Sequence, residues 1–196
     1  MSYSRIVEVL ESTLPLLVNK ERLPHVYGVV EFCEKLSKRY LLDHEKLKIM
    51  ALAHDMFRDI PERKLKTLAR IYGIEVDDLL EKKPILLHGF ISAEYLKRRF
   101  NINEDFDEDL LNGIRYHTSA HKDFGPYAKA LTIADSLEFT RTFDKVNQLR
   151  EIAFYDLNIA FKEVIRNKIF YALKFDLYVL PYTLETWNKL VEEERK

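Results

Sequence analysis

Leu52-Ala53-His54-Asp55 ends an apolar run that begins at Leu47. Leu47, Met50, Ala51 and His54 recur at helical spacing, so the buried face of this helix carries an imidazole. A histidine or an aspartate placed there without a partner costs several kcal/mol. One divalent metal ion would satisfy both His54 and Asp55. The rest of the sequence is read by asking which other polar side chains face the same interior.

Outward from that stretch, almost every segment has helical periodicity. Residues 4–19 carry Ile6, Val7, Leu10, Leu14 and Leu17, with Pro15 as a kink point. Pro24 suits the first turn of a helix to about Tyr40, and Asp43 caps the helix that ends at His54. Pro61 opens a short helix closing near Gly73, residues 75–82 add a turn or two, and Pro84 begins a helix to about Phe100. The acidic segment Asn103 to Asp107 reads as a loop capping a helix through Ile114 to His117. After the loop His121 to Gly125, Pro126 starts a helix through Asp135 to about Phe139. Helices over 144–154 and 155–174 follow, and Pro181 leads into a last amphipathic helix with a frayed acidic end. No alternating strand pattern and no repeat is present, so the fold class is all-α, a single-domain helical bundle.

Composition narrows the function. The chain has 196 residues with 31 basic and 32 acidic side chains, so no global field draws it to nucleic acid or membrane. Cys33 is the single cysteine, which rules out an intrachain disulfide and a thiolate metal cluster; its apolar phase makes it a small core residue. No run resembles a signal peptide or reaches the roughly 18 apolar residues of a membrane span, so a reducing cytoplasm is the default.

Five helices each aim one metal-capable side chain inward: His25, His54, His88, His117 and Asp135. Any one of them alone is more often a hydrogen-bonded core residue. Together with the adjacent His54-Asp55 pair they share one explanation, a metal centre. Imidazole and carboxylate donors suit iron, manganese, cobalt, nickel or zinc. His25, His54, Asp55 and Asp135 would fill four positions of a six-coordinate ion and leave two for water or a phosphate oxygen. His88 and His117 either hold a second ion or touch substrate. His44 reads as exposed, and His121 is equally a site residue or a loop residue. Arg22, Arg58, Arg115, Lys122 and Arg141 stand near these positions and suit a phosphate, because guanidinium matches phosphate oxygens in a fork. The aromatic stretch Ile169-Phe170-Tyr171 with Phe175 and Tyr178 reads as core, with a homodimer face as the alternative.

The order His25, His54-Asp55, Asp135 in an all-helical chain resembles the HD superfamily of metal-dependent phosphohydrolases. The runs Leu52-Ala53-His54-Asp55 with Asp59-Ile60-Pro61, Leu86-Leu87-His88-Gly89, Ile114-Arg115-Tyr116-His117-Thr118, Ile133-Ala134-Asp135 and Leu180-Pro181-Tyr182-Thr183 resemble its YqeK family. The likeness spans about residues 20–190, with a motif core near 20–142 and helices over 144–196 completing the pocket. It implies symmetrical hydrolysis of diadenosine tetraphosphate to two ADP, with iron as the metal. His25, His54, Asp55 and Asp135 would be its ligands. Arg22, His88, His117, Thr118, Ser136, Arg141, Pro181 and Thr183 would face the nucleotide. Asp55 would act with the metal, Arg58 would offset phosphoryl charge, and Asp59 would orient a ligand or water, or cap a helix. Hydrolysis of another nucleotide and a non-catalytic nucleotide-binding module are the alternatives.

Overall fold

A computed structural model describes residues 2–102 and 104–195, with the backbone alone over 104–106. Every regular element among them is helical. Helix α1 (Tyr3–Leu17) and α2 (Leu23–Tyr40) precede α3 (His44–Ala53), which is capped as expected by the Asp43 carboxylate accepting from Lys46 N at 2.9 Å. Ile49, Leu52 and Ala53 are buried as well as Leu47, Met50 and Ala51. From Ile49 to Ala53 the helix is apolar on all sides, and such a segment belongs in the interior. Helix α3 accordingly lies against α1, α2, α7 (Glu104–Tyr116) and α8 (Pro126–Leu137), which puts His54 and Asp55 at the centre of the bundle.

A smaller apolar cluster of Leu65, Ala69, Leu80, Leu87 and Ile91 packs α4 (Glu62–Ile71), α5 (Asp78–Lys82) and a 3-10 turn over Pro84–Leu86 against α6 (Leu87–Phe100). It supports the start of α6, where His88 stands. Behind α8 lie α9 (Val146–Tyr155), α10 (Leu157–Lys174) and α11 (Pro181–Glu193). Asp156 separates the first two by accepting from Asn158 N and Ile159 N. No helix among the described residues is long and apolar enough to cross a membrane.

Two expectations need correction. The acidic segment read as a loop is helical from Glu104, with a kink at Asp107 (φ −124°, ψ 27°), while Asn103 lies outside the described residues. Tyr3 Oη donates to Asp107 Oδ1 at 2.6 Å and Lys46 Nζ pairs with it at 2.9 Å, which holds the kink against α1 and α3. The aromatic stretch on α10 is not core: Phe170, Tyr171, Phe175 and Tyr178 are more than half exposed, and Ile169 alone packs inward. Helix α10 buries Ala160, Phe161, Val164 and Ile165 and then outruns the core.

Cys33 is buried as expected, and burial pushes its thiol well above the usual range. Folded protein should therefore resist a disulfide thiol reagent at neutral pH, with labelling appearing only in step with unfolding. Rapid labelling of the native state would contradict that placement.

Candidate metal centre

Three histidines reach the cluster by one device. His54 follows α3, His88 sits in the first turn of α6, and His117 follows α7. Each places Nδ1 on the carbonyl three residues back: Ala51 O at 2.7 Å, Ile85 O, and Ile114 O at 2.8 Å. A carbonyl only accepts, so Nδ1 carries the proton and Nε2 keeps a bare lone pair.

Those lone pairs converge. His54 is wholly buried, and its Nε2 has no hydrogen-bond partner. His88 Nε2 and His117 Nε2 stand 3.1 Å apart. Two lone pairs facing each other at that distance repel unless a proton or a metal cation sits between or beside them. Gly89 permits the approach of α6 to α7, since a Cβ there would fall 2.7 Å from Arg115 O.

Asp55 is the common neighbour. Its Oδ1 lies 3.2 Å from His88 Nε2 and 3.5 Å from His117 Nε2. Its Oδ2 lies 3.9 Å from both His25 Nε2 and His54 Nε2 and accepts from Arg22 Nη1 at 2.9 Å. Asp135, on α8, puts Oδ1 3.2 Å from His25 Nε2 and 3.9 Å from His54 Nε2. Two donor sets, His25–His54–Asp55 and Asp55–His88–His117, each lie within 4.8 Å and share Asp55.

The electrostatics suit a cation. Burial pushes His54 down to about 4 and also lowers His88, so both are neutral donors at neutral pH. Burial alone would raise the Asp55 carboxyl, but His54 beside it and the close His117 and His88 rings hold it well below the usual range. Asp135 is likewise depressed against its burial by the His25 hydrogen bond and the Lys168 charge. His25 is raised despite burial by its hydrogen bond to Asp135. The neutral imidazoles of His54 and His88, ionised carboxylates and an unpartnered buried nitrogen fit a divalent metal ion.

Above the cluster is a cavity of about 460 Å³ whose lining includes His25, Asp55, His117, Thr118 and Asp135, with Arg22, Arg58 and Arg141 on its walls. Asp59 holds Arg22, accepting from Nε at 2.8 Å and Nη2 at 2.7 Å, while its Oδ2 accepts from Asn19 N at 2.9 Å. Arg141 Nε donates to Asp135 O at 3.3 Å.

Other expected residues stand elsewhere. Thr183 is buried and its hydroxyl donates to Ser119 O at 2.7 Å, which ties α11, opened by Pro181, to the turn after His117. Ser136 is half-buried beside Asp135. His121 stacks on Tyr116 at 4.9 Å and accepts from Asp123 N at 3.3 Å, outside both donor sets. His44 is exposed. Arg115 donates to Asn112 at 2.6 Å and Lys122 pairs with Glu185 at 3.9 Å, and neither lines the cavity.

Sequence reasoning missed Glu138. Its carboxylate is fully buried, and Oε1 lies 3.1 Å from His25 Nδ1. The available signal was its phase: Glu138 shares a helical face with Leu131 and Ala134. Lys168 on α10 was also missed; its ammonium donates to Thr118 O at 3.2 Å.

The comparisons agree with this geometry. A family profile described as HD domain matches residues 22–140. The symmetrical bis(5'-nucleosyl)-tetraphosphatase of Bacillus subtilis (strain 168) is 31% identical over 174 residues, 89% of this chain and 91% of that protein. The protein of the same name from Halalkalibacterium halodurans is 32% identical over 91% of this chain and 93% of its own length. A crystal structure from Clostridium acetobutylicum, described as a "predicted HD superfamily hydrolase involved in NAD metabolism", superposes with a TM-score of 0.83 at 31% identity, covering 100% of this chain and 99% of that one.

Proposed function

Since the chain belongs to the HD-domain family, we propose that it is a metal-dependent phosphohydrolase that adds water to diadenosine tetraphosphate and releases two ADP. The observation that carries the reading is the convergence of bare imidazole nitrogens on Asp55, which with His25, His117 and Asp135 lines an arginine-walled cavity while His54 and His88 lie buried behind it. Likeness over nearly the full length to two symmetrical tetraphosphatases supports the substrate.

We assign His25, His54, Asp55 and Asp135 as ligands, with His88 and His117 completing a second position that also uses Asp55. The two overlapping donor sets support two ions, and iron is the ion we propose. When bound, the metal polarises a phosphoryl oxygen and acidifies a coordinated water. The protein's own groups do the rest. Arg22, held by Asp55 and Asp59, presents a fixed planar cation to phosphate oxygens. Arg58 and Arg141 face the same cavity and offset charge on the bridging and leaving oxygens. The Thr118 hydroxyl, 3.2 Å from His117 Nε2, is a further donor at the floor. Asp59 acts through Arg22. Residues 1–196 form one unit in this reading, with the motif core near 20–142 and the helices beyond it buttressing the Thr118 turn through Lys168.

The test is anaerobic purification, elemental analysis and incubation with diadenosine tetraphosphate. ADP is expected as the single nucleotide product. AMP with ATP would overturn the symmetrical reading. Tight binding without turnover under iron, manganese, cobalt, nickel and zinc would overturn the enzyme.

A further inference from the structure

We propose that Glu138 is a positioning residue for the metal centre: its carboxylate accepts the Nδ1–H of His25, fixes that ring's tautomer and turns Nε2 toward Asp55 and Asp135. The inference rests on the metal-binding reading and deepens it.

His25 needs a device that the other histidines do not. His54 and His117 stand just past helix C-termini, where carbonyls lack an amide partner, and His88 follows a 3-10 turn. Each finds a backbone acceptor three residues back. His25 is the third residue of α2, and the carbonyl three back, Arg22 O, already accepts from Val26 N at 3.1 Å. The acceptor here is a side chain, Glu138, which reaches across the bundle to 3.1 Å.

The surroundings are built for a carboxylate in that place. Burying one is expensive unless donors surround it. Thr140 supplies two at 2.6 Å, its backbone N–H to Oε2 and its hydroxyl to Oε1, and Arg141 Nε lies 3.4 Å from Oε1. Room comes from Gly28, one turn beyond His25 on the same helix face. A Cβ there would sit 2.5 Å from Glu138 Oε2. The helix thus forgoes a side chain where the carboxylate passes. A carboxylate behind a ligand histidine sets ring orientation and basicity, and losing such a partner typically costs 10–100-fold in metal affinity.

The rival role is a staple for the turn after α8. Titrating metal-free protein with Co²⁺ and reading its visible absorption separates the two. Glu138→Gln is expected to weaken Co²⁺ binding by about 10–100-fold in the wild-type background. In a His25→Ala background the same change should cost under about threefold, because no ring is left to position. A loss below about tenfold in the wild-type background, or an equal loss in both, would overturn the proposal. Failure of the wild type to bind Co²⁺ would overturn the metal reading and this inference with it. Equal binding by wild type and Glu138→Gln would overturn this inference alone. Should Glu138→Gln not fold, Gly28→Ala decides. Alanine is the better helix former, yet its methyl displaces the carboxylate, so weaker Co²⁺ binding is expected, and unchanged binding overturns the role.

Discussion

Replacing Asp55 with asparagine is expected to lower metal affinity by about three orders of magnitude or more and to take turnover to background. The change keeps size and shape and removes one negative charge. Two unit charges about 4 Å apart interact by roughly 4 kcal/mol at an effective dielectric near 20, about a thousandfold in affinity, and the second charge of a divalent ion makes that the least loss expected. Asp55 lies at the junction of both donor sets, so both lose the same anion. The amide still accepts from Arg22, whose fork also rests on Asp59. The fold should therefore persist, as circular dichroism would show, while elemental analysis finds the protein empty. A variant that kept full metal content and ADP release would remove Asp55 from the centre.

The metal-capable histidines were legible because helical periodicity assigns each to an apolar face. That His54 is buried was legible too, since it shares a face with Leu47, Met50 and Ala51 at the apolar end of α3. Their mutual geometry was not. The approach of His88 Nε2 to His117 Nε2 depends on Gly89 meeting the Arg115 carbonyl, a contact between helices that spacing within one helix cannot reveal. Glu138 was hidden for a related reason. An acid at an apolar phase signals burial, but its partner His25 is 113 residues away in sequence.

The two misread segments fail in physical terms as well. Acidic residues at 104–107 suggested a loop, yet acids are favoured in the first turn of a helix, where they meet its positive end. On α10 the aromatic spacing described a face correctly. It could not say whether another element covers that face, and none among the described residues covers Phe170 or Tyr171.

Stripping the metal should lower the melting temperature by roughly 10 °C. A ligand present at about 1,000 times its dissociation constant stabilises the folded state by about 4 kcal/mol. For a domain of this size each kcal/mol shifts the midpoint by about 2–4 °C. The loss has a structural origin: without a cation, His54 Nε2 is a buried acceptor with no partner, and His88 and His117 turn lone pairs on each other. A chelator scan of the wild type should show the shift, and refilling with the metal should restore it. In Asp55→Asn the chelator should move the midpoint hardly at all, because little metal remains to remove. His121→Asn should keep the full shift, since that ring packs on Tyr116 outside both donor sets. A wild-type midpoint that ignores the chelator would mean that the converging imidazoles are satisfied by protons alone, and the hydrolase reading would lose its physical basis.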